Sequence, residues 1–265
     1  MRIALGIEYD GSSFHGYQFQ AHASSVQGAL QDALSQVAAA PVTIHAAGRT
    51  DAGVHATHQV ITFDPPAERP LTAWSRGANA LSPDAVAVLW AREVADDFHP
   101  RFQATARRYM YLFYDLEEVS PLLAKRVTFS RPLDDEAMHR AARALVGEQD
   151  FSAFRAAGCQ SNTPYRRIHQ VSVHRAGGFV VLDITANAFL LHMVRNIAGA
   201  LWRVGLDQQA TSWIGDLLAG RDRSRAAPTA PPHGLYLVDV HYPETSLPRG
   251  RLPGPLRALG DLDRF

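Results

Sequence analysis

RIALGIEY at residues 2–9 and VTIHAAGRTDAGVHATHQVITFD at residues 42–64 decide the fold. In the first, Ile3, Leu5, Ile7 and Tyr9 fall on alternate positions, the period of a half-buried strand. The second holds two strand-like runs, 42–47 and 58–64, on either side of a loop containing Gly48 and Gly53. Between the two stretches, Val26, Leu30, Leu34 and Val37 recur at helical spacing over 25–38. Serines precede them, and a serine side chain can cap a first turn. A short helix over 71–80 and an alternating strand over 85–94, through Val86, Val88 and Trp90, complete the order β-α-β-β-α-β. That order is ferredoxin-like.

The remainder repeats the order loosely. Residues 106–114 read as a strand, and 134–146 as a helix opened by Asp134, Asp135 and Glu136, acids suited to a helix N-terminus. Residues 169–175 and 178–185 form strands joined at Ala176-Gly177-Gly178, a hairpin signal. An apolar helix over 188–204, a shorter one near 210–219 and a strand over 235–242 follow. The expected class is α+β, with two ferredoxin-like domains at 1–104 and 105–243. Their antiparallel sheets would meet at a central cleft, with helices on the outer faces. The tail, 244–265, is rich in Pro, Gly and Arg and is expected to be loosely held.

The chain has 265 residues, 46% of them hydrophobic, which suits two domains with ordinary cores. No stretch approaches the roughly 20 apolar residues of a membrane helix. The opening lacks a cleavage-site pattern, and Cys159 is the single cysteine. A soluble cytoplasmic protein is the expectation. The net charge is zero, yet residues 1–100 hold ten Asp or Glu against five Arg. Residues 101–225 hold seventeen Lys or Arg against twelve acids. The second segment could face a polyanion; an uneven solvated surface would read the same way.

The sharpest segment is AGRTDAGVHA, residues 47–56. Its glycines permit tight backbone paths around Arg49 and Asp51, and an ionised carboxylate there can act as a nucleophile. An ordinary turn with a surface ion pair is the alternative. The loop lacks the Gly-Lys-Ser/Thr ending of a nucleotide-hydrolase loop. His55 and His58 give an H-x-x-H spacing, but no further ligand cluster accompanies them, so no metal is expected. Cys159 lies in a polar loop with no neighbouring His and reads as a passive thiol.

The segment GRTDAGVHA resembles the signature of the TruA family of tRNA pseudouridine synthases. So do YDGSSFHGYQFQ (9–20), FHPRFQATARRYMY (98–111), CQSNTPYRR (159–167), NAFLLHMVRNIAGAL (187–201) and PTAPPHGLYLVDV (228–240), in the family's order. The resemblance runs to about residue 243. Tyr17 stands where the family often has Trp, and Pro100 where it often has Ala; both differences could alter RNA contacts locally.

The resemblance implies isomerisation of uridine to pseudouridine at tRNA positions 38, 39 and 40, without cofactor or metal, by a homodimer acting on the anticodon arm. It makes Asp51 the nucleophile, attacking either uracil carbon 6 or the ribose anomeric carbon, and Arg195 its charge partner. Arg49 would assist flipping of the target nucleotide. Tyr109 would stack on the uracil and help remove the carbon-5 proton, and Leu235 would pack against the base. Further RNA contacts are implied at Arg69, at Phe98, His99, Pro100, Arg101 and Phe102, and at Gln160, Ser161, Asn162, Thr163 and Pro164. From charge alone, Arg107, Arg108, Arg166 and Arg167 are added as phosphate-holding residues. Two other readings remain in view: an RNA-binding module without chemistry, and a metal-dependent phosphoesterase built on His55, His58 and Asp51.

Overall fold

A computed structural model describes residues 1–259. In chain order the elements are β1 (Arg2–Tyr9), α1 (Val26–Ala38), β2 (His45–Ala46), β3 (His55–Phe63), α2 (Ala78–Leu81), β4 (Val86–Val94), β5 (Ala106–Tyr114), β6 (Thr128–Phe129), α3 (Asp135–Ala142), β7 (Gly147–Asp150), β8 (Tyr165–Ala176), β9 (Phe179–Ala186), α4 (Met193–Gly205), α5 (Trp213–Gly220), β10 (Leu235–His241) and α6 (Gly254–Arg257). This is a mixed α and β protein in two compact units. The first comprises Met1–Thr105 and Tyr236–Pro253; the second comprises Ala106–Leu235 with 254–259. Among the described residues no helix is long and apolar enough to cross a membrane.

In the first unit β1 lies between β4 and β3, antiparallel to both, with Leu5 opposite Ala91 and Ile61. β2 pairs with β3 at Ile61 and Thr62. The alternation that predicts a half-buried β1 understates its burial, because Ala4 is as buried as Ile3, Leu5 and Ile7. The small residues at positions 4 and 6 explain this. A Cβ on Gly6 would lie 2.1 Å from the Trp90 ring, so the indole occupies the second face. Ser25 caps α1 as expected, its hydroxyl accepting the Gly28 N–H at 3.2 Å. The helix expected over 71–80 is a π-helical turn over Ala73–Gly77 running into α2. Its Trp74 is fully buried, edge-on to Phe63 at 5.0 Å.

The closing strand departs from the reading of two unbroken halves. β10 pairs in parallel with β3, Tyr236 opposite His55 and Leu237 opposite Ala56. Residues 236–253 therefore belong to the first unit rather than to a domain spanning 105–243. A parallel partner is separated from its mate by a long crossover, so adjacency in sequence gives no sign of it.

The second unit has the antiparallel order β5-β9-β8-β7, with β6 parallel to β5. The turn between β8 and β9 is the expected one, with Gly177 at φ +58. The strand expected at 169 starts at Tyr165, because β7, a short polar strand without alternation, extends the ladder. α4 starts at Met193, five residues later than its apolar run, since His192 adopts φ +58 and closes off the helix. Asp115, almost fully buried, holds Arg175 through two bonds of 2.8 and 2.9 Å. Arg175 also reaches Asp135 at 3.2 Å, so this internal charge is matched on both sides.

The expectation of a loosely held tail is corrected for the described part; 260–265 lie outside the described residues. A Cβ on Gly250 would lie 1.8 Å from the Val238 carbonyl oxygen, and the Gly250 N–H donates to Asp239 at 3.1 Å. The Thr57 hydroxyl donates to the Arg251 carbonyl. Leu256 is fully buried. Proline and glycine here serve close backbone approach, which composition alone does not distinguish from looseness. Leu256→Ala should cost about 2–5 kcal/mol of stability. Chemical denaturation checks it, and an unchanged midpoint would mean that this segment is not packed.

Candidate active site

Asp51 lies half-buried in the loop between β2 and β3, with Arg49 exposed beside it. The loop is pinned on both sides of the carboxylate. Before it, the Thr50 hydroxyl lies 2.8 Å from that of Tyr9, and the Thr50 carbonyl accepts the Tyr17 N–H at 3.0 Å. After it, the Asp51 carbonyl accepts the Val54 N–H at 3.1 Å, a turn that Gly53 permits at φ +78. Farther out, the Gln59 amide donates to the Gly48 carbonyl at 2.7 Å.

The bracing comes from residues 9–17. A Cβ on Gly11 would lie 1.9 Å from the Val54 carbonyl oxygen. Gly16, at φ +106, faces the Thr50 carbonyl and the Ala52 amide at 3.2 and 3.3 Å from the same virtual atom. Only glycine allows two backbones this close. The segment YDGSSFHGY is thus a cradle for the Asp51 loop. Tyr17 is buried behind it, 3% exposed, so the difference from the family at this position falls on packing and not on an RNA-facing surface.

Both candidate metal ligands have other occupations. His55 Nδ1 lies 3.1 Å from both the Gly11 amide and Asp10 Oδ1. The Gly11 N–H donates to this nitrogen, and the Asp10 carboxylate sits beside it within ion-pair distance. The adjacent His55 side chain, with smaller contributions from the Ser12 hydrogen bonds, holds the Asp10 carboxyl well below the usual carboxylate range despite its partial burial. The His55 ring stacks on Tyr236 at 4.7 Å. His58 accepts the Trp90 indole N–H at 3.3 Å through Nε2. Its Nδ1 lies 3.2 Å from Asp239 Oδ1, poorly aligned for a hydrogen bond.

In the second unit, Tyr109 sits half-buried on β5, edge-on to Phe189 at 5.1 Å. Arg195 occupies the first turn of α4. Its Nε donates to the Ala230 carbonyl at 2.9 Å, and the Ala230 N–H donates back to the Arg195 carbonyl at 3.1 Å. This reciprocal pair depends on segment 227–231 lying flat against α4. A Cβ on Gly199 would come within 2.3 Å of the Pro228 carbonyl oxygen. Asn196, fully buried, accepts from Thr229 at 2.7 Å and from Arg223 at 3.0 Å. Leu235 is 5% exposed and follows Gly234, where an added Cβ would lie 2.8 Å from the Tyr111 ring.

The residues put forward as RNA contacts divide. Phe98 is 2% exposed and packs edge-on against Tyr242 at 5.1 Å. Pro100 is buried too, its carbonyl accepting the Tyr242 hydroxyl. These two side chains anchor a turn and cannot themselves meet a substrate. From that turn His99, Arg101 and Phe102 project. Phe102 is 75% exposed, lies 4.3 Å from the His99 ring and carries the Arg101 guanidinium 5.8 Å above it. Gln160, Asn162 and Thr163 are exposed, Ser161 and Pro164 half-buried. Arg155 shapes this loop by donating to the Cys159 and Ser161 carbonyls at 2.8 and 2.7 Å. Arg69 is exposed and donates to the Val37 carbonyl at 3.3 Å, where the α1 dipole favours a cation.

The four arginines added from charge alone have partners of two kinds. Arg108 is clasped by Asp183, Arg167 by Glu148, and Arg107 donates to the Asn187 carbonyl. Arg166 turns inward onto Thr163 and Ser161. Arg108 and Arg167 thus face carboxylates, while Arg107 and Arg166 donate to uncharged oxygens, and a count along the chain cannot show that. The sequence reading missed Asp10, Gly11, Gly16, Asn196 and Thr229 as parts of the site's support. Their signal was present, since each lies in a segment quoted for the family resemblance.

A sequence profile described as tRNA pseudouridine synthase matches residues 6–103 and 141–243. The chain belongs to that family, whose members isomerise uridine to pseudouridine in tRNA. Particular relatives carry a narrower name. The tRNA pseudouridine synthase A of Shewanella amazonensis is 57% identical over 97% of this chain and 98% of its own. That of Shewanella frigidimarina is 54% identical over 98% and 100%. Among solved structures, a chain from a Cbf5-Nop10-Gar1 complex overlaps 89% of this chain and 48% of its own, with a TM-score of 0.37 and 11% identity.

The depressed Asp10 titration has a consequence for acid stability. A carboxyl whose folded pKa is lowered stabilises the fold above its unfolded value, near 3.9, and that contribution is lost as pH falls through the folded value. Asp10→Asn should therefore flatten the decline of stability between about pH 5 and pH 2. Urea titrations across that range measure it; parallel curves for the two proteins would contradict it.

Proposed function

We propose that this chain isomerises uridine to pseudouridine at positions 38, 39 and 40 of the tRNA anticodon arm, with Asp51 as nucleophile. The observation that carries the reading is Asp51 itself, held on a loop braced from both sides in a chain of this family. The bond between N1 and the ribose breaks, the uracil turns, and carbon 5 bonds to the ribose. The carbon-5 proton leaves and N1 gains one, so the reaction balances without oxidant, reductant or energy source. Asp51 attacks either carbon 6 of the base or the anomeric carbon.

A stacked uridine has to leave its helix to reach a half-buried carboxylate, at a cost of a few kcal/mol. Arg49, exposed on the same loop, assists that flip. Tyr109 stacks on the uracil and helps to take the carbon-5 proton, Arg195 balances the Asp51 charge, and Leu235 packs against the base. The Arg195–Ala230 pair supports this role, because a guanidinium fixed in advance loses little freedom on meeting a carboxylate. Arg69, His99, Arg101 and Phe102, with Gln160 to Pro164, meet the RNA backbone and unpaired bases; Phe98 and Pro100 hold the turn from which three of these project.

The two units correspond in this reading to two ferredoxin-like synthase domains. In the first unit the run β4-β1-β3, with β2 also paired to β3, supports that, and β10 is an addition to the pattern. The enzyme acts in the cytoplasm as a homodimer. Sedimentation should give twice 29.0 kDa, and a single-chain particle would refute the dimer. Asp51→Asn and Asp51→Ala should lower pseudouridine formation by about 10⁴-fold or more while tRNA binding persists. Tritium release from carbon-5-labelled tRNA is the measurement; near-normal release would end the assignment.

A further inference from the structure

We propose that Asp10 is a positioning residue for Asp51, acting through His55. The proposal rests on Asp51 being the nucleophile and concerns what holds it in place. The Asp51 loop has one pin before the carboxylate, at Thr50, and one after it, at Val54 and His55. The first is built from neutral hydroxyl and amide groups. The second joins a carboxylate to an imidazole that is 2% exposed. Asp10 is itself fixed from several sides. Its Oδ1 accepts from the Ser12 amide at 3.0 Å and from the Ser12 hydroxyl at 2.7 Å, and its own N–H donates to the Ala85 carbonyl at 2.9 Å. His55 is held in turn by Tyr236, which stacks on its ring with the planes 22° apart.

The geometry gives the pair a specific task. Through Nδ1 the imidazole is tied to Asp10 and to the Gly11 amide just after β1, and His55 begins β3. The backbone from Asp51 to His55 spans only the turn closed by the Asp51 carbonyl and the Val54 N–H. A rotation of His55 is therefore passed to Asp51 through a short, hydrogen-bonded link. Gly11, pressed on the Val54 carbonyl, leaves no space for the turn to relax inward. A misplacement of about 1 Å at a reacting group can cost on the order of 100-fold in rate.

The test uses the full-length protein and Asp10→Asn, which keeps the shape of the side chain and removes its charge. The single-turnover rate of pseudouridine formation should fall about 10–100-fold. The tRNA Kd should stay within about twofold, and circular dichroism should show a folded protein at the assay temperature. Asp10→Glu, which restores the carboxylate, should recover part of the rate; a merely structural loss would not split rate from affinity in this way. A rate within about twofold of the parent overturns the proposal. So does a loss shared equally between Kd and rate, or a loss that Asp10→Glu leaves unrelieved. If Asp51→Ala abolishes turnover but Asp10→Asn leaves it unchanged, this inference alone fails. If Asp51→Ala remains active, the assignment of the nucleophile fails first.

Discussion

The close approach of two backbones, residues 9–17 against 50–55, is the constraint from which the rest of the first unit's chemistry follows. The Gly11 position touches the Val54 carbonyl, and the Gly16 position faces Thr50 and Ala52. A side chain at either place would push the loop outward and carry Asp51 with it. The loop is short of regular structure, yet its carbonyls and amides at Gly48, Thr50, Asp51 and Val54 are bonded to fixed neighbours. The backbone that carries the Asp51 carboxylate is therefore set by the fold itself.

The second unit reaches a comparable rigidity by another route. There a buried amide, Asn196, collects Thr229 and Arg223, and the segment between them is drawn onto α4 at Gly199. Arg195 is then held through a carbonyl that cannot move independently of the helix. In both units the glycines mark where main chains must touch.

Much of this was legible in the sequence, and the rest was hidden for physical reasons. The strand at 2–9, the capped helix after Ser25 and the hairpin at Gly177 depend on near neighbours in the chain, so their signals are local. Asp51 was legible because its loop carries both unusual glycines and a family pattern. The parallel pairing of β10 with β3 was not, since it joins residues about 180 apart in number, as Tyr236 and His55 show. The setting of the arginines was hidden for a related reason, since Arg108 and Asp183 stand 75 residues apart in the chain and meet only because β5 and β9 pair. Phe98 and Pro100 misled, because a segment can matter for recognition while its most apolar members face inward.

The parallel strand carries a consequence for biosynthesis. Domains tend to fold in order as a chain emerges from the ribosome, the N-terminal one first. Here the first unit lacks a strand and the clasp at Gly250 until nearly the whole polypeptide has been made. During translation the free edge of β3 near His55 waits for β10, and an exposed strand edge invites pairing with other chains. A message broken before the codon for Tyr236 would thus yield a product with an open sheet edge beside the loop that carries Asp51.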